Sequence, residues 1–224
     1  MKTNITTIND FWNFLKINHE KHDSHVFRGV KSTDYSLVPS IGRHRKNKTG
    51  DKFTDKDEIR MLASFKMKAF PYLTKEFSKI ELLSLAQHHG LPTRLLDWTW
   101  NPLVAFYFAV RDDFDKGDSL VYAWKKNIIG EFEPTFDPFK ITQTEVILPP
   151  HLTNRIIAQS GIFTVHNNPN EEFVSTGIKK IMIKNSIRKE IKRALYLLGI
   201  HEASMFPDIE GIASYTKWLR TNIY

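Results

Sequence analysis

Residues 86–99 carry the side chains whose types and spacing most clearly indicate chemistry. The segment has the apolar character of a buried element, and yet it contains Gln87, His88, Arg94 and Asp97. A charged side chain that leaves water is strongly destabilising unless it is paired and hydrogen-bonded. We therefore expect Arg94 and Asp97 to form either a structural ion pair or the wall of an active site, and we favour the wall.

Polar residues in or after other predicted strands extend this candidate site. Arg28 lies in an apolar strand directly before Gly29, which allows close backbone approach. Its guanidinium could be a paired core ion, but its fork also suits a phosphate, and we favour phosphate binding. Thr99 follows the predicted strand at residues 93–98, and its hydroxyl either belongs to the site or caps the next helix.

Two further pairs of polar residues share a face because of their spacing. Gln143 and Glu145 are two residues apart in a predicted strand, so their side chains point to the same side. Arg155 and Gln159 are four residues apart on a short predicted helix, and they also share a side. Each pair either lines the cleft or faces solvent without a role in function.

The composition excludes several kinds of chemistry. The chain has 224 residues and no cysteine, so disulfides, zinc–thiolate sites and thiol nucleophiles are excluded. The nine histidines show no metal-ligand spacing, and we expect no metal. The longest apolar run, residues 103–110, is too short to span a bilayer, and the first 25 residues lack the apolar core of a secretory signal. We expect a soluble cytoplasmic protein without membrane contact.

Basic residues gather in two segments, residues 43–48 and 179–193, and the formal net charge is +7. Such clusters contact the phosphates of a nucleic acid or a dinucleotide, or form a solvated face. They define one alternative function, a nucleic-acid-binding or nuclease-like effector with His88, Arg94 and Asp97 at phosphate. A non-enzymatic ligand-sensing module is another.

Hydrophobic periodicity predicts the elements that must position these residues. Helical spacing predicts helices at residues 8–17, 57–70, 80–89, 101–110, 186–198 and 208–220. Short β-type patterns predict strands at residues 25–30, 93–98, 119–124, 145–148, 162–166 and 178–183, with residues 35–43 extended. No repeat or Pro/Gly-rich linker divides the chain. The sequence therefore predicts one α+β domain.

Several segments together resemble the FRG domain family. They are Phe27-Arg28-Gly29, residues 36–40 with Arg43, residues 87–105, residues 154–164 and residues 206–211. The resemblance covers nearly the whole chain and implies a single FRG domain over residues 1–224 in a bacterial or phage protein. Its parts would be an N-terminal helix in residues 1–24, a core with the motif residues in 25–170, and a C-terminal strand and helices in 171–224. The family resemblance alone implies no function.

A more remote resemblance connects three segments with ADP-ribosyltransferases of the Arg–Ser–Glu class. Phe27-Arg28-Gly29 looks like the first motif of that class, and Gln143-Thr144-Glu145 looks like the third. Residues 96–99, followed by a helix, look like the second motif, although only its final hydroxyl is kept. The resemblance implies a mixed or antiparallel split β-sheet core flanked by helices. It also implies NAD as the substrate, and a protein or nucleic acid as the target of modification.

The transferase resemblance gives each of these residues a role. Arg28 would hold the pyrophosphate, and Thr99 would orient either the nicotinamide end or Glu145. Glu145 would bind the ribose and stabilise the oxocarbenium-like transition state electrostatically, while Gln143 positions the acceptor. The rest of the predicted site is His88 as a catalytic candidate, with binding candidates Gly29, Gln87, Arg94, Asp97, Arg155 and Gln159.

The leading hypothesis is therefore an NAD-dependent, ADP-ribosyltransferase-like effector of the bacterial or phage toxin or defence kind. It requires positions 28, 99 and 145 to meet around one cavity. The sequence leaves the oligomeric state open.

Overall fold

One seven-stranded sheet organises the chain in the computed structural model, which describes residues 3–18, 25–43, 50–111, 117–125, 133, 135–148 and 153–221. The strands are β1 (Thr3–Ile5), β2 (His25–Val30), β3 (Leu95–Thr99), β4 (Ser119–Lys125), β5 (Glu145–Ile147), β6 (Gly161–Val165) and β7 (Ile178–Ile183). The helices are α1 (Ile8–Asn18), α2 (Ser40–Arg43), α3 (Asp55–Ala69), α4 (Lys79–His88), α5 (Pro102–Val110), α6 (Asn154–Ala158), α7 (Asn185–Leu197), α8 (Glu202–Met205) and α9 (Ile209–Thr221).

The strand order is β1-β7-β4-β2-β3-β6-β5. The β1–β7 pair is parallel, and the other pairs are antiparallel. The predicted α+β class is thus confirmed, with a single mixed sheet among the described residues. The sheet is weakest at its centre, because β2 and β3 share only the pair Phe27–Thr99. Beyond that pair the two strands separate, which opens a gap beside Arg28.

Helix α5 packs directly on the centre of the sheet. Asn101 caps the helix, because its side-chain oxygen accepts from Leu103 N at 2.9 Å. The helix crosses β2 at Gly29, where a Cβ atom would lie 1.8 Å from Ala105 O. Gly29 therefore allows a close approach, as expected. The group that approaches it is the backbone of α5, however, and not the phosphate of a ligand.

Most predicted elements are present with small shifts at their ends, but residues 35–43 are not extended throughout. Helix α2 begins at Ser40, directly after Pro39. Proline restricts the residue before it and leaves the following residues free to turn. The amides of Gly42 and Arg43 both donate to Pro39 O, at 3.0 and 3.3 Å.

Two apolar cores lie on the helical face of the sheet, and a third lies on the opposite face. Beneath α1, α5 and α7 the sheet contributes buried side chains such as Phe27 and Ile181. On the opposite face, Trp98, Tyr122 and Trp124 pack together. Within the described residues, no helix combines the length and apolar character needed to cross a membrane.

Candidate functional site

A cleft of about 350 Å³ opens where β2 and β3 separate. Its apolar walls include Phe27, Phe108, Phe163 and Phe206. A few polar side chains between aromatic walls are typical of small-molecule sites, and the volume falls within their range of roughly 300–1,000 Å³. The predicted site residues that line the cleft are Arg28, Gly29, Gln87, His88, Asp97, Thr99, Arg155 and Gln159.

The side chain of Arg28 enters the gap between the two strands. One terminal nitrogen, Nη1, donates to Asp97 O at 2.5 Å and lies 3.6 Å from the Asp97 carboxylate. The side chain is only 14% exposed. Its Nε atom is buried and has no hydrogen-bond partner among the described residues. A buried donor without a partner is costly, so the position of Arg28 in the gap is held at an energetic cost.

A chain of hydrogen bonds joins the polar residues of the separate sequence motifs. Gln87 Nε2 donates to Asp97 Oδ1 at 2.6 Å, and the Thr93 hydroxyl donates to Gln87 Oε1. Thr93 N in turn donates to Ser40 Oγ at 2.9 Å. This network extends from α2 through α4 to β3 and ends at the carboxylate beside Arg28. It fixes the Asp97 side chain, which remains 60% exposed toward the cleft.

Two further arginines form the opposite side of the cleft. The guanidinium carbons of Arg111 and Arg155 each lie 4.8 Å from the centroid of the Phe206 ring. Arg155 donates two hydrogen bonds to Asp208 Oδ2, at 2.9 and 2.6 Å, and Arg111 pairs with Glu202 at 3.0 Å. The cleft therefore has arginine side chains on both sides, each of them close to a carboxylate.

His88 contributes a neutral imidazole to this cleft. Burial lowers its pKa, and the nearby charge of Arg155 and the neighbouring His89 lower it further, while Asp208 acts in the opposite direction. The side chain is therefore uncharged at neutral pH. A neutral imidazole can accept a proton from a nucleophile in the cleft.

Thr99 and Gln159 line the cleft, but their hydrogen bonds are structural. The Thr99 hydroxyl donates to Gln159 O at 2.7 Å and accepts from Asn101 N at 3.0 Å. Gln159 Nε2 donates to Met205 O at 2.9 Å. The hydroxyl of Thr99 has a single proton, and Gln159 O already accepts it. These contacts therefore fit the alternative in which Thr99 orders the start of the next helix.

Arg94 does not line the cleft, contrary to the interpretation of this residue as an active-site wall. It is 1% exposed, and its N and Nε atoms donate to the Glu58 carboxylate at 2.8 and 2.9 Å. It also pairs with Asp55, and its guanidinium lies 4.4 Å from the Phe139 ring centroid. These contacts are those of a structural ion pair that joins α3 to β3.

Gln143 and Glu145 also lie away from the cleft. Gln143 Nε2 donates to Glu145 Oε1 at 3.1 Å, so the two side chains do share a side. However, Glu145 is opposite Val165 on β6, whereas Thr99 is opposite Gly161 on the same strand. Four residues along a strand span about 13 Å. The expectation that positions 28, 99 and 145 meet around one cavity is therefore wrong.

The basic segment at residues 179–193 is not one exposed stripe. Arg188 is fully buried and donates to Gly117 O and Ala109 O, at 2.8 and 3.1 Å. Lys184 pairs with Asp118 at 2.8 Å. Residues 44–48 of the other basic segment lie outside the described residues. In the described part of the chain, no group of three or more His, Asp or Glu side chains is placed to hold a metal ion.

The fold and the cleft define an α+β protein with an arginine-lined cleft at an opening in a mixed sheet. The family model of the FRG domain matches residues 23–118. This match supports the FRG family, and it includes β2, β3, α4 and α5 around the cleft. No curated protein and no solved structure matches the chain.

The contact between Arg155 and Asp208 leads to a prediction about acid stability. The amide of Gly211 and the charge of Arg155 hold the pKa of Asp208 below its ordinary value of 3.8. A lowered pKa stabilises the fold above the unfolded-state value, and this contribution is lost as the pH falls through the folded-state value. We expect Asp208→Asn to lower the urea midpoint at neutral pH, and the difference from wild type to shrink below pH 3.8.

The matched control is Glu210→Gln. Glu210 lies 3.9 Å from Arg155 but is 87% exposed, and exposed pairs contribute little. If the difference in urea midpoint between Asp208→Asn and wild type stayed the same below pH 3.8, the lowered pKa of Asp208 would be contradicted.

Proposed function

We propose that this protein binds NAD in the cleft and cleaves its nicotinamide–ribose bond, as an ADP-ribosyltransferase-like enzyme. The observation that carries the proposal is the Arg28 guanidinium, which lines an aromatic-walled cleft and is held there by Asp97 with 14% of the side chain exposed. A guanidinium in this position suits a pyrophosphate, because it presents several N–H donors in a planar fork.

The remainder of the cleft fits the two ends of a dinucleotide. Arg111 and Arg155, with the Phe206 ring between them, offer cations and a stacking surface. Ser84 also lines the cleft, and its Oγ atom is buried without a hydrogen-bond partner in the part of the chain that the structure describes.

In the proposed reaction, the bond between ribose C1′ and the nicotinamide nitrogen breaks, and its electron pair leaves with nicotinamide. The positive charge that develops on the ribose needs an anionic neighbour. Asp97 is the carboxylate residue among the described residues that line the cleft, so we assign to Asp97 the role first expected of Glu145. The acceptor bonds to C1′ and gives its proton to His88. Modification of a protein or nucleic-acid target would make the protein an effector of the toxin or phage-defence kind.

Release of nicotinamide from NAD tests this function, with purified protein in the presence and absence of a cell lysate. We expect release by the wild-type protein and a loss on the order of 100-fold for Asp97→Asn, as for removal of one electrostatic stabiliser. Asparagine keeps the shape and can still accept the hydrogen bond from Gln87. Glu145→Gln is the matched control, and it should retain activity because that carboxylate lies outside the cleft.

Two results would count against the proposal. Absence of release under all conditions would remove the enzymatic function. Loss of activity in Glu145→Gln, with Asp97→Asn active, would mean that the site is misplaced.

A further inference from the structure

A second cleft, of about 280 Å³, lies beside the first, among α5, α7, α8 and α9. The two share one residue, Arg111. Four aromatic side chains of the second cleft are half-buried, namely Tyr196, His201, Tyr215 and Trp218.

Three of these rings form a ladder. The His201 and Tyr215 rings are 4.3 Å apart with planes 17° apart, and the Tyr215 and Trp218 rings are 6.4 Å apart with planes 21° apart. Tyr215 and Trp218 share a face of α9 because they are three residues apart. Nearly parallel aromatic rings that are not fully covered form a platform on which a planar base can stack.

The charges around the ladder favour an anion. Lys192, Lys217 and Arg111 line the cleft; Lys192 Nζ donates to Arg111 O and lies 5.4 Å from the centroid of the Trp218 ring. Glu202, the carboxylate among the described lining residues, is already bound by Arg111 and by the Tyr107 hydroxyl. Burial lowers the pKa of His201, so this ring adds no charge at neutral pH. The cations therefore exceed the anions.

We propose that this second cleft binds a mononucleotide, with the base against the Trp218 ring at the end of the ladder and the phosphate at Lys217. A planar anion is the ligand class that uses both features of the cleft. A neutral aromatic compound would leave Lys217 without a role, and a sugar phosphate would make no use of the aromatic rings. The site adjoins the proposed NAD cleft at Arg111, but binding there does not depend on NAD cleavage.

Calorimetric titration with AMP tests the inference. We expect saturable binding that is weakened about tenfold by Trp218→Leu, the loss of one base–aromatic stack, and by a similar factor by Lys217→Glu. Trp218→Phe keeps an aromatic surface and should retain most of the affinity. Ribose 5-phosphate, which lacks the base, should bind more weakly than AMP. Arg220→Glu is the matched control, because Arg220 is exposed on the same helix but does not line the cleft.

Arg28→Gln separates this inference from the proposed function, since Arg28 lines only the first of these two clefts. We expect it to abolish NAD cleavage and to leave AMP binding intact. AMP binding that is lost in Arg28→Gln but kept in Lys217→Glu would place AMP in the first cleft and overturn the inference. Absence of binding at millimolar AMP would also overturn it, and the NAD proposal would be unaffected. If Trp218→Leu fails to fold, Lys217→Glu decides the question.

Discussion

Replacement of Gly29 by alanine is expected to reduce the free energy of unfolding by about 3 kcal/mol or more, at or above the upper end of ordinary overpacking. The added Cβ would lie 1.8 Å from Ala105 O and 2.8 Å from Ala109 N. Both atoms belong to the backbone of α5, so neither can move unless the helix itself shifts on the sheet. Denaturant-induced unfolding followed by circular dichroism measures the change.

Gly161→Ala is the matched control for this substitution. Gly161 also lines the cleft, but its added Cβ would meet no atom closer than Ile156 O at 3.5 Å, an ordinary contact. We expect only a small change in stability. Equal stability of the Gly29→Ala and Gly161→Ala proteins would show that α5 is not seated on β2 as described.

Replacement of Arg94 by methionine is expected to destabilise the protein by about 3–5 kcal/mol, the range for breaking a buried ion pair. Methionine fills part of the volume but leaves the carboxylate of Glu58, which is 2% exposed, without its main partner. The loss follows from the stranded charge more than from the missing contacts. The same unfolding measurement reports it.

The double variant Arg94→Met with Glu58→Met separates these two causes. Removal of both charges relieves the stranded carboxylate, so the double variant should be more stable than Arg94→Met alone. An Arg94→Met protein that unfolds at the wild-type midpoint would contradict the structural role of this ion pair.

The sequence predicted most elements because their causes are local. Apolar spacing marks both strand β2 and helix α4. The end of α4 is marked by Gly90, whose φ of +89° lies in the left-handed region. The polar residues that interrupt the apolar segments were the useful indication of the site. Arg28, Gln87, His88 and Asp97 do gather at one cleft.

The rest of the site depends on distances in the folded chain that the sequence does not contain. The partner of Arg94 is Glu58, 36 residues away, and neither residue indicates the other. Glu145 matched a short motif, but the register of β5 on β6 decides where its side chain lies. Arg111 was not predicted, because it follows an ordinary apolar helix. Only the folded chain brings its guanidinium to the Phe206 ring at the cleft.

Calorimetric titration with NAD tests the central claim most directly, namely that Arg28 and not Glu145 marks the ligand site. We expect binding by the wild-type protein, unchanged binding by Glu145→Gln and partial loss in Arg28→Lys. In Arg28→Gln we expect no NAD binding beyond that which Lys217→Glu also removes, namely binding of the adenylate half at the second cleft. Circular dichroism of each variant checks that the fold is retained. Wild-type affinity for NAD in a folded Arg28→Gln protein, or no binding of NAD by the wild-type protein, would contradict the account.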